Sequence, residues 1–244
     1  MTRLQAFSDD DAARFVDSMP TPIVPWLLID ADRTLAEVDA SRELAVLLGV
    51  NDAVCATFRA LGYTNEAFSR AAELFSSIPA VRYEREAQRI GRSVQIRGPF
   101  LDVLRATREH VKVAVVTAGS PTLWRQALLS NGVEGIEVLG GCHDDLDPWF
   151  VGADSKACLA RALVDLGAYV AAAGDSPLDG PMLEVATLPI VVPDHRGSAP
   201  LIESMQRIGR ARHLVVDDRR FQGLRPIHAS ELIATLIAQA APTC

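Results

Sequence analysis

The chain of 244 residues has few cysteines and no long apolar run. Its four cysteines lie far apart and form no C-x-x-C pair, which argues against a disulfide framework or zinc site and favours a reducing, cytoplasmic location. No stretch approaches the roughly 18 apolar residues of a membrane-spanning helix, so we expect no membrane association. Residues 1–15 also lack the apolar segment of a signal peptide. The cysteines are Cys55, Cys142, Cys158 and Cys244.

Clustered basic residues and internal repeats are absent as well. The 24 basic residues are outnumbered by 31 acidic ones, which gives a formal net charge of -7 and argues against a nucleic-acid partner. A hydrophobic share of 49% with 23% charged residues is typical of a globular protein. At about 150 residues per domain, the length predicts one large domain or a core with a smaller unit, as a monomer or homodimer.

Short, continuously apolar runs that end in polar residues recur along the chain, separated by helical patterns. Such runs are typical of strands buried on both faces of a parallel sheet, so the predicted fold is α/β with a doubly wound parallel sheet. In such sheets the ligand crevice lies at the carboxyl ends of the strands. The runs are residues 26–29 before Asp30, 111–116 before Thr117, 169–173 before Gly174-Asp175, and the further strands 188–192 and 213–216.

Residues 36–97 break this alternation and predict only helices. We therefore expect residues 1–35 and 98–244 to form an α/β core, and residues 36–97 to form a helical cap inserted after the first strand. The expected cap helices are 39–48, 52–61, 66–76 and 80–90. Before the first strand, Ser8 and the acidic residues after it predict a capped helix over 8–18.

Two carboxylates separated by one residue, Asp30 and Asp32, follow the first apolar strand. Both can face one reacting centre, where a carboxylate can bind a metal, attack an electrophile or move protons. The alternative is an ordinary surface turn, because Asp is common where strands end.

Three further segments have weaker signals when taken alone. Thr117-Ala118-Gly119-Ser120, between a strand and a helix, can bind oxygens through one hydroxyl and several backbone N–H groups. Lys156 lies near the start of a helix, where a lysine is usually solvated. Asp175 and Asp179 follow a buried strand and are suited to a hard cation such as Mg²⁺.

In this order and in this strand context, the four segments resemble the haloacid dehalogenase-like (HAD) superfamily of phosphohydrolases. The resemblance extends from about residue 26 to residue 240. The insert between the first and second segments is similar to the helical, C1-type cap of the phosphoserine phosphatase-like branch. The resemblance thus implies a Rossmann-like core, phosphatase activity and a Mg²⁺ cofactor.

The resemblance also implies a role for each residue. Asp30 would be the nucleophile that becomes an aspartyl phosphate, and Asp32 would be the general acid and then the general base. The phosphoryl oxygens would be held by Thr117, Ala118, Gly119 and Lys156. Mg²⁺ would be bound by the Asp30 carboxylate, the Asp32 backbone carbonyl and Asp175, with Asp179 in support.

The substrate residues match this branch less well. Asp39 stands where these phosphatases carry an acidic residue that binds the substrate ammonium, and Gly98-Pro99-Phe100 also resembles the branch. Arg33 stands where these phosphatases usually have a glycine after the second Asp, and Leu178 stands where they usually have Asn before the last Asp. The cap arginine that binds the serine carboxylate has no clear counterpart. Its substitutes would be Arg70, Arg82 or Arg85, and phosphoserine is not favoured as the substrate.

The predicted function is Mg²⁺-dependent hydrolysis of a small phosphate monoester. A phosphotransferase would need the same residues, and a catalytically quiet metabolite-binding module is a third possibility, which Leu178 alone favours. We expect His143, Asp144 and Asp145 to be solvated loop or edge-strand residues. We expect the aromatic residues of the insert to form the cap core rather than a substrate platform; they are Phe58, Tyr63, Phe68 and Phe75.

Overall fold

Parallel strands form the central sheet of the computed structural model, which describes residues 4–18, 24–193, 198–216 and 223–240. The strands are β1 (Gln5–Ala6), β2 (Trp26–Ile29), β3 (Lys112–Val116), β4 (Glu137–Leu139), β5 (Trp149–Phe150), β6 (Val170–Gly174), β7 (Leu188–Val191), β8 (Arg212–Leu214) and β9 (Arg225–Ile227). Seven of them pair in the order β4-β3-β2-β6-β7-β8-β9, all parallel. The α/β fold with a doubly wound sheet is confirmed. The strands β1 and β5 form a separate parallel pair.

The central strand β2 is buried on both faces. Leu27 and Ile29 pack into one apolar layer, and Trp26 and Leu28 pack into the other. Alternate side chains of a strand point to opposite faces, so a strand covered on both sides needs an unbroken apolar run. This explains why the run ends at Asp30, where the chain leaves the sheet.

Helices cover the sheet and form the insert. They are α1 (Asp9–Asp17), α2 (Ala40–Leu48), α3 (Asn51–Leu61), α4 (Asn65–Ser76), α5 (Ala80–Ser93), α6 (Gly98–Thr107), α7 (Pro121–Ser130), α8 (Ala153–Asp165), α9 (Gly180–Val185), α10 (Ser198–Ile208) and α11 (Ala229–Ala240). Side-chain oxygens cap several of them: Ser8 accepts from the Asp11 amide (3.3 Å), and Thr64 accepts from Ala67 (3.3 Å). Among the described residues, none of the helices combines the length and apolar character needed to cross a bilayer.

The insert is joined to the sheet-forming part of the chain through its first and last residues. Ala36 and Ile96 form an antiparallel bridge. Arg97 donates from its side chain to the Thr34 carbonyl (3.1 Å) and the Arg33 carbonyl (3.0 Å), so one guanidinium fastens the loop that follows β2. The insert therefore begins and ends at a single point beside that loop.

Cys55, Cys142 and Cys158 are free thiols, and Cys244 lies outside the described residues.

Candidate active site

The loop after β2 places Asp30 and Asp32 at the carboxyl edge of the sheet. The Asp30 amide donates to the Ala173 carbonyl of β6 (2.9 Å), which fixes the start of the loop. Arg33 has a φ of 63°, and in the part of the chain that the structure describes no other residue except glycine has a positive φ. This left-handed backbone costs an L-residue about 1 kcal/mol. The cost explains why the family that the sequence resembles usually has glycine at this position.

Lys156, which projects from the first turn of α8, joins two of the predicted carboxylates. Its Nζ donates to Asp30 Oδ1 (2.5 Å) and to Asp179 Oδ1 (2.6 Å), and its side chain is completely buried. Burial lowers the pKa of Lys156, but the negative charges of Asp179 and Asp30 outweigh burial and raise that pKa above its usual value. The lysine is therefore a buried cation, not the solvated side chain that its position alone suggested.

Three buried carboxylates, those of Asp30, Asp175 and Asp179, lie within 4.8 Å of one another. Asp175 accepts a hydrogen bond from Thr34 Oγ1 (3.1 Å), and its Oδ2 lies 3.7 Å from Arg33 Nε. Burial and then the other two carboxylates raise the pKa of Asp175. Burial, followed by the charge of Asp179, likewise raises the pKa of Asp30, although Lys156 acts in the opposite direction. Such a set of hard oxygen donors with excess negative charge fits a divalent cation such as Mg²⁺.

Asp179 differs from the other two because hydrogen bonds already occupy both of its oxygens. Its Oδ1 binds Lys156, and its Oδ2 accepts from the Asp175 amide (3.1 Å), the Ser176 amide (3.1 Å) and Ser176 Oγ (3.0 Å). A Cβ atom at Gly174 would collide with the Asp179 side chain, so only glycine permits this approach. Asp179 therefore holds both Lys156 and the loop that carries Asp175.

Asp32 lies apart from the acidic triad and is held by Ser41 of α2. Its Oδ1 accepts from the Ser41 amide (3.0 Å) and its Oδ2 from Ser41 Oγ (2.5 Å). Burial and then the charge of Asp39 raise the pKa of Asp32 to about 7, while the two bonds from Ser41 lower it. Ser41 was not predicted, because no motif marks it. Asp39 itself caps α2 by accepting from the Arg42 amide (3.0 Å).

The segment after β3 faces the same space. Thr117 is buried, and its Oγ1 accepts from the Gly119 amide (3.0 Å), which folds the turn back on itself. Ser120 caps α7 by accepting from the Leu123 amide (3.3 Å). The hydroxyl and amides of this turn thus lie at the amino end of a helix, where the partial positive charge favours anions.

A cavity of about 800 Å³ joins these groups to the insert. From the sheet side it is lined by Asp30, Asp32, Thr117, Ala118, Gly119 and Asp175. Asp39 and Arg42 also line it, together with Arg59.

Lys156 is completely buried and does not line the cavity. Its charge acts on the cavity through Asp30, to which it donates a hydrogen bond. Arg70 and Arg82 are exposed and do not line the cavity either, and Arg70 pairs with Glu66 (2.6 Å).

The sequence was also compared with family models. The model for haloacid dehalogenase-like hydrolases matches residues 27–184, which include all four motif segments. The chain belongs to this family. No curated protein sequence matches the chain significantly.

Solved structures show that this HAD hydrolase shares its fold with several known proteins. A HAD family hydrolase from Salmonella enterica serovar Typhi is 17% identical, with a TM-score of 0.56 over 94% of this chain and 81% of the other. A protein of unknown function from Bordetella pertussis Tohama I is 18% identical, with a TM-score of 0.60 over 84% of this chain and 99% of the other. A substrate-bound phosphoserine phosphatase is 18% identical, with a TM-score of 0.53 over 75% and 91%.

A second group of possible metal ligands in the HAD hydrolase lies at His143, Asp144 and Asp145. The prediction that this group is solvated was wrong for His143, which is completely buried. Its Nδ1 accepts from the Asp145 amide (3.3 Å), so its Nε2 must carry the proton that it shares with the Ile78 carbonyl (2.9 Å). Both ring nitrogens are therefore already used, and His143 packs between the insert and the core.

Proposed function

We propose that this HAD hydrolase is a Mg²⁺-dependent phosphomonoester hydrolase that acts on a small phosphorylated metabolite through an aspartyl phosphate on Asp30. The observation that carries the proposal is the direct bond from the buried, charged Lys156 to Asp30 inside the acidic triad. Asp30 also lines the cavity, together with Asp32 and Thr117. The proposed nucleophile, proton carrier and oxygen-binding groups therefore surround one space.

Asp30 must be ionised to attack phosphorus. Lys156 favours that form through its charge and its hydrogen bond, and thereby opposes the effect of burial. Attack forms the Asp30–phosphorus bond and breaks the bond between phosphorus and the leaving oxygen. In this proposal the hydroxyl of Thr117 and the amides of Ala118 and Gly119 bind the phosphoryl oxygens, and Lys156 adds its charge next to them.

Asp32 would carry the proton in both halves of the reaction. It first protonates the leaving oxygen, which departs as an alcohol, and then accepts a proton from the water that attacks the aspartyl phosphate. Inorganic phosphate leaves and the Asp30 carboxylate is restored. A pKa of about 7 suits a group that donates and accepts protons near neutral pH. The two bonds from Ser41 would keep the carboxylate in place.

In this proposal Mg²⁺ would be held by the carboxylates of Asp30 and Asp175 and the backbone carbonyl of Asp32, with Asp179 in support. When bound, it would supply positive charge that offsets the triad and the phosphoryl oxygens. The Thr34 hydroxyl orients Asp175, and Asp179 holds the Asp175 amide, so the loop is preorganised.

Asp39 remains our proposed contact to a cationic part of the substrate, because its side chain lines the cavity. We do not propose Arg70 and Arg82 as substrate contacts, because the arginines of the insert that line the cavity are Arg42 and Arg59. The three free thiols in the described part of the chain support our proposal of a cytoplasmic location.

Replacement of the nucleophile tests the proposal. We expect Asp30→Asn to lower kcat for p-nitrophenyl phosphate by at least about 1,000-fold, because an amide cannot form the aspartyl phosphate. Release of inorganic phosphate is the measurement, and trapping of labelled phosphate on the protein should occur in the wild type only. Asp165→Asn, at an exposed position of α8, is the matched control and should keep full activity. Full activity in both Asp30→Asn and EDTA-treated wild type would show the proposal to be wrong.

A further inference from the structure

Apolar side chains of the insert form one part of the cavity wall. Along α4, the residues Phe68, Ala71 and Phe75 line the cavity, and their spacing of three and four residues places them on one face of the helix. Leu44 and Ala45 of α2 add two buried apolar side chains. These five side chains therefore offer neither a hydrogen bond nor a charge to a substrate.

Three aromatic rings of this wall contact one another. The Phe58 ring lies 5.1 Å from Phe68 in an edge-on arrangement and 5.3 Å from Tyr63. Phe68 is buried, Phe58 is half-buried, and Tyr63 is 67% exposed although its ring lines the cavity. The cluster therefore extends from the buried Phe68 to solvent-accessible surface at Tyr63.

The core side of the cavity extends the same wall up to the phosphoryl site. Leu178, in the position where related phosphatases carry Asn, lines the cavity and packs against the apolar cluster that includes Phe68. Ala118, in the turn after β3, does the same. Apolar surface thus begins directly beside the groups proposed to hold phosphate. The insert also contributes polar and charged residues to the cavity wall, and of these Arg42, Asp52 and Arg59 are exposed; the full set is Asp39, Ser41, Arg42, Asn51, Asp52 and Arg59.

We propose that the substrate is the phosphate monoester of an alcohol with a ring-sized, apolar group, which lies against Phe58, Tyr63 and Phe68. This inference rests on the proposed phosphatase function and narrows its substrate class. A volume of about 800 Å³ is in the range of sites for whole organic ligands. Transfer of a phenyl-sized group from water to such an apolar wall strengthens its binding by about 10- to 100-fold.

Two primary alkyl esters isolate this effect. In 2-phenylethyl phosphate and ethyl phosphate the leaving alkoxides are similarly basic, so the ratio of their kcat/KM values reports the ring alone. With Mg²⁺ present, we expect a ratio of about 10 to 100 in favour of the phenylethyl ester. We also expect kcat/KM to be higher for the phenylethyl ester than for phosphoserine.

Substitutions in the wall locate the ring. Phe58→Ala and Tyr63→Ala should each lower the ratio by about 2- to 10-fold, the range expected for one aromatic contact. Phe15→Ala is the matched control, because Phe15 is also half-buried and has an edge-on aromatic contact, to Trp26 at 6.3 Å, but does not line the cavity. Its ratio should equal that of the wild type. The exposed Tyr63 site keeps the test valid if Phe58→Ala does not fold.

A wild-type ratio near 1, or a preference for phosphoserine, would overturn the inference while leaving the phosphatase proposal intact. A high ratio that neither wall substitution lowers would also overturn it, since the ring would then bind elsewhere. If no ester is hydrolysed, p-nitrophenyl phosphate included, the proposed function fails and the inference fails with it.

Discussion

Ser41 and Asp39 act on the Asp32 carboxylate in opposite directions. Each hydrogen bond from Ser41 favours the charged form and lowers the pKa, whereas burial and the charge of Asp39 raise it to about 7. In the proposed mechanism, the pKa of the proton carrier Asp32 therefore depends on two residues that do not themselves react.

Removal of the charge on Asp39 should lower the pKa of Asp32. A general acid works only while protonated, so in Asp39→Asn the fall of kcat with rising pH should move to lower pH for an alkyl phosphate. p-Nitrophenyl phosphate should respond less, because its leaving group needs little protonation. Asn still caps α2, and Glu37→Gln, which is exposed and outside the cavity wall, is the control. An unchanged or opposite shift in the pH profile of kcat would contradict this role.

Loss of the Ser41 hydroxyl should have the opposite effect. Ser41→Ala keeps the backbone bond to Asp32 but removes the 2.5 Å bond to Oδ2, so the pKa should rise and the fall of kcat should move to higher pH. The same pH profile measures both variants. A shift to lower pH would show that Ser41 does not stabilise the charged form.

At the residue scale, the positions of the candidate residues could be predicted where residue type and strand context coincide. Asp30, Thr117 and Asp175 each follow a buried run, and parallel strands bring their ends together. Ser41 could not be predicted, since its contact with Asp32 arises only from the way α2 returns over the loop. The burial of Lys156 was missed for a similar reason, because it depends on Asp179.

Among the elements, α5 of the insert is packed closely against α7. Tyr83 and Ile90 of α5 and Trp124 of α7 belong to one apolar cluster. The predicted boundary of the cap at residue 97 therefore separates helices that share a core.

A methyl group at Gly91 should disturb this packing. Its Cβ would collide with the Leu123 carbonyl and lie 2.8 Å from Gln126 Cβ, so Gly91→Ala should destabilise the protein by about 1–3 kcal/mol. Val81→Ala, at an exposed position of the same helix, should be neutral or slightly stabilising. Chemical denaturation measures both free energies of unfolding. Equal stability of the two variants would contradict close packing of α5 on α7.

Elements with a strong local signal were predicted almost to their ends. The insert helices α2–α5 have regular apolar spacing, and each matches its predicted range within about three residues. The strands β1, β4, β5 and β9 were not predicted, because two or three residues cannot show a periodic pattern. Strand β8 was placed at 213–216 but lies at Arg212–Leu214, since neighbouring strands set its register.

For the whole molecule, the buried acidic residues link stability to pH and metal. Burial raises the pKa of Asp30, Asp32 and Asp175 above 3.8, so each binds protons more readily in the folded than in the unfolded chain. Without metal, their contribution to stability is present below about pH 4. It is lost as the pH rises through the folded values, to about 7 for Asp32.

We expect Mg²⁺ to offset this loss. At pH 8, Mg²⁺ at about 100 times its Kd should stabilise the wild type by about 2.7 kcal/mol, a rise in Tm on the order of 5–10 °C. Mg²⁺ should stabilise Asp175→Asn much less than the wild type. In EDTA, the Tm of Asp175→Asn should fall less between pH 5 and pH 8 than the Tm of the wild type. Asp165→Asn should behave as the wild type. A wild-type Tm that does not respond to Mg²⁺ at pH 8 would exclude the predicted cation site.

The parallel pairing of β2 with β6 also has a kinetic consequence. These strands are neighbours in the sheet, yet more than half of the chain lies between Asp30 and Asp175, the residues that directly follow them. Contacts of such long sequence separation form late, because a large loop must close first. During refolding, helical circular dichroism should therefore return before enzymatic turnover, and the recovery of activity would time the closure of the central sheet.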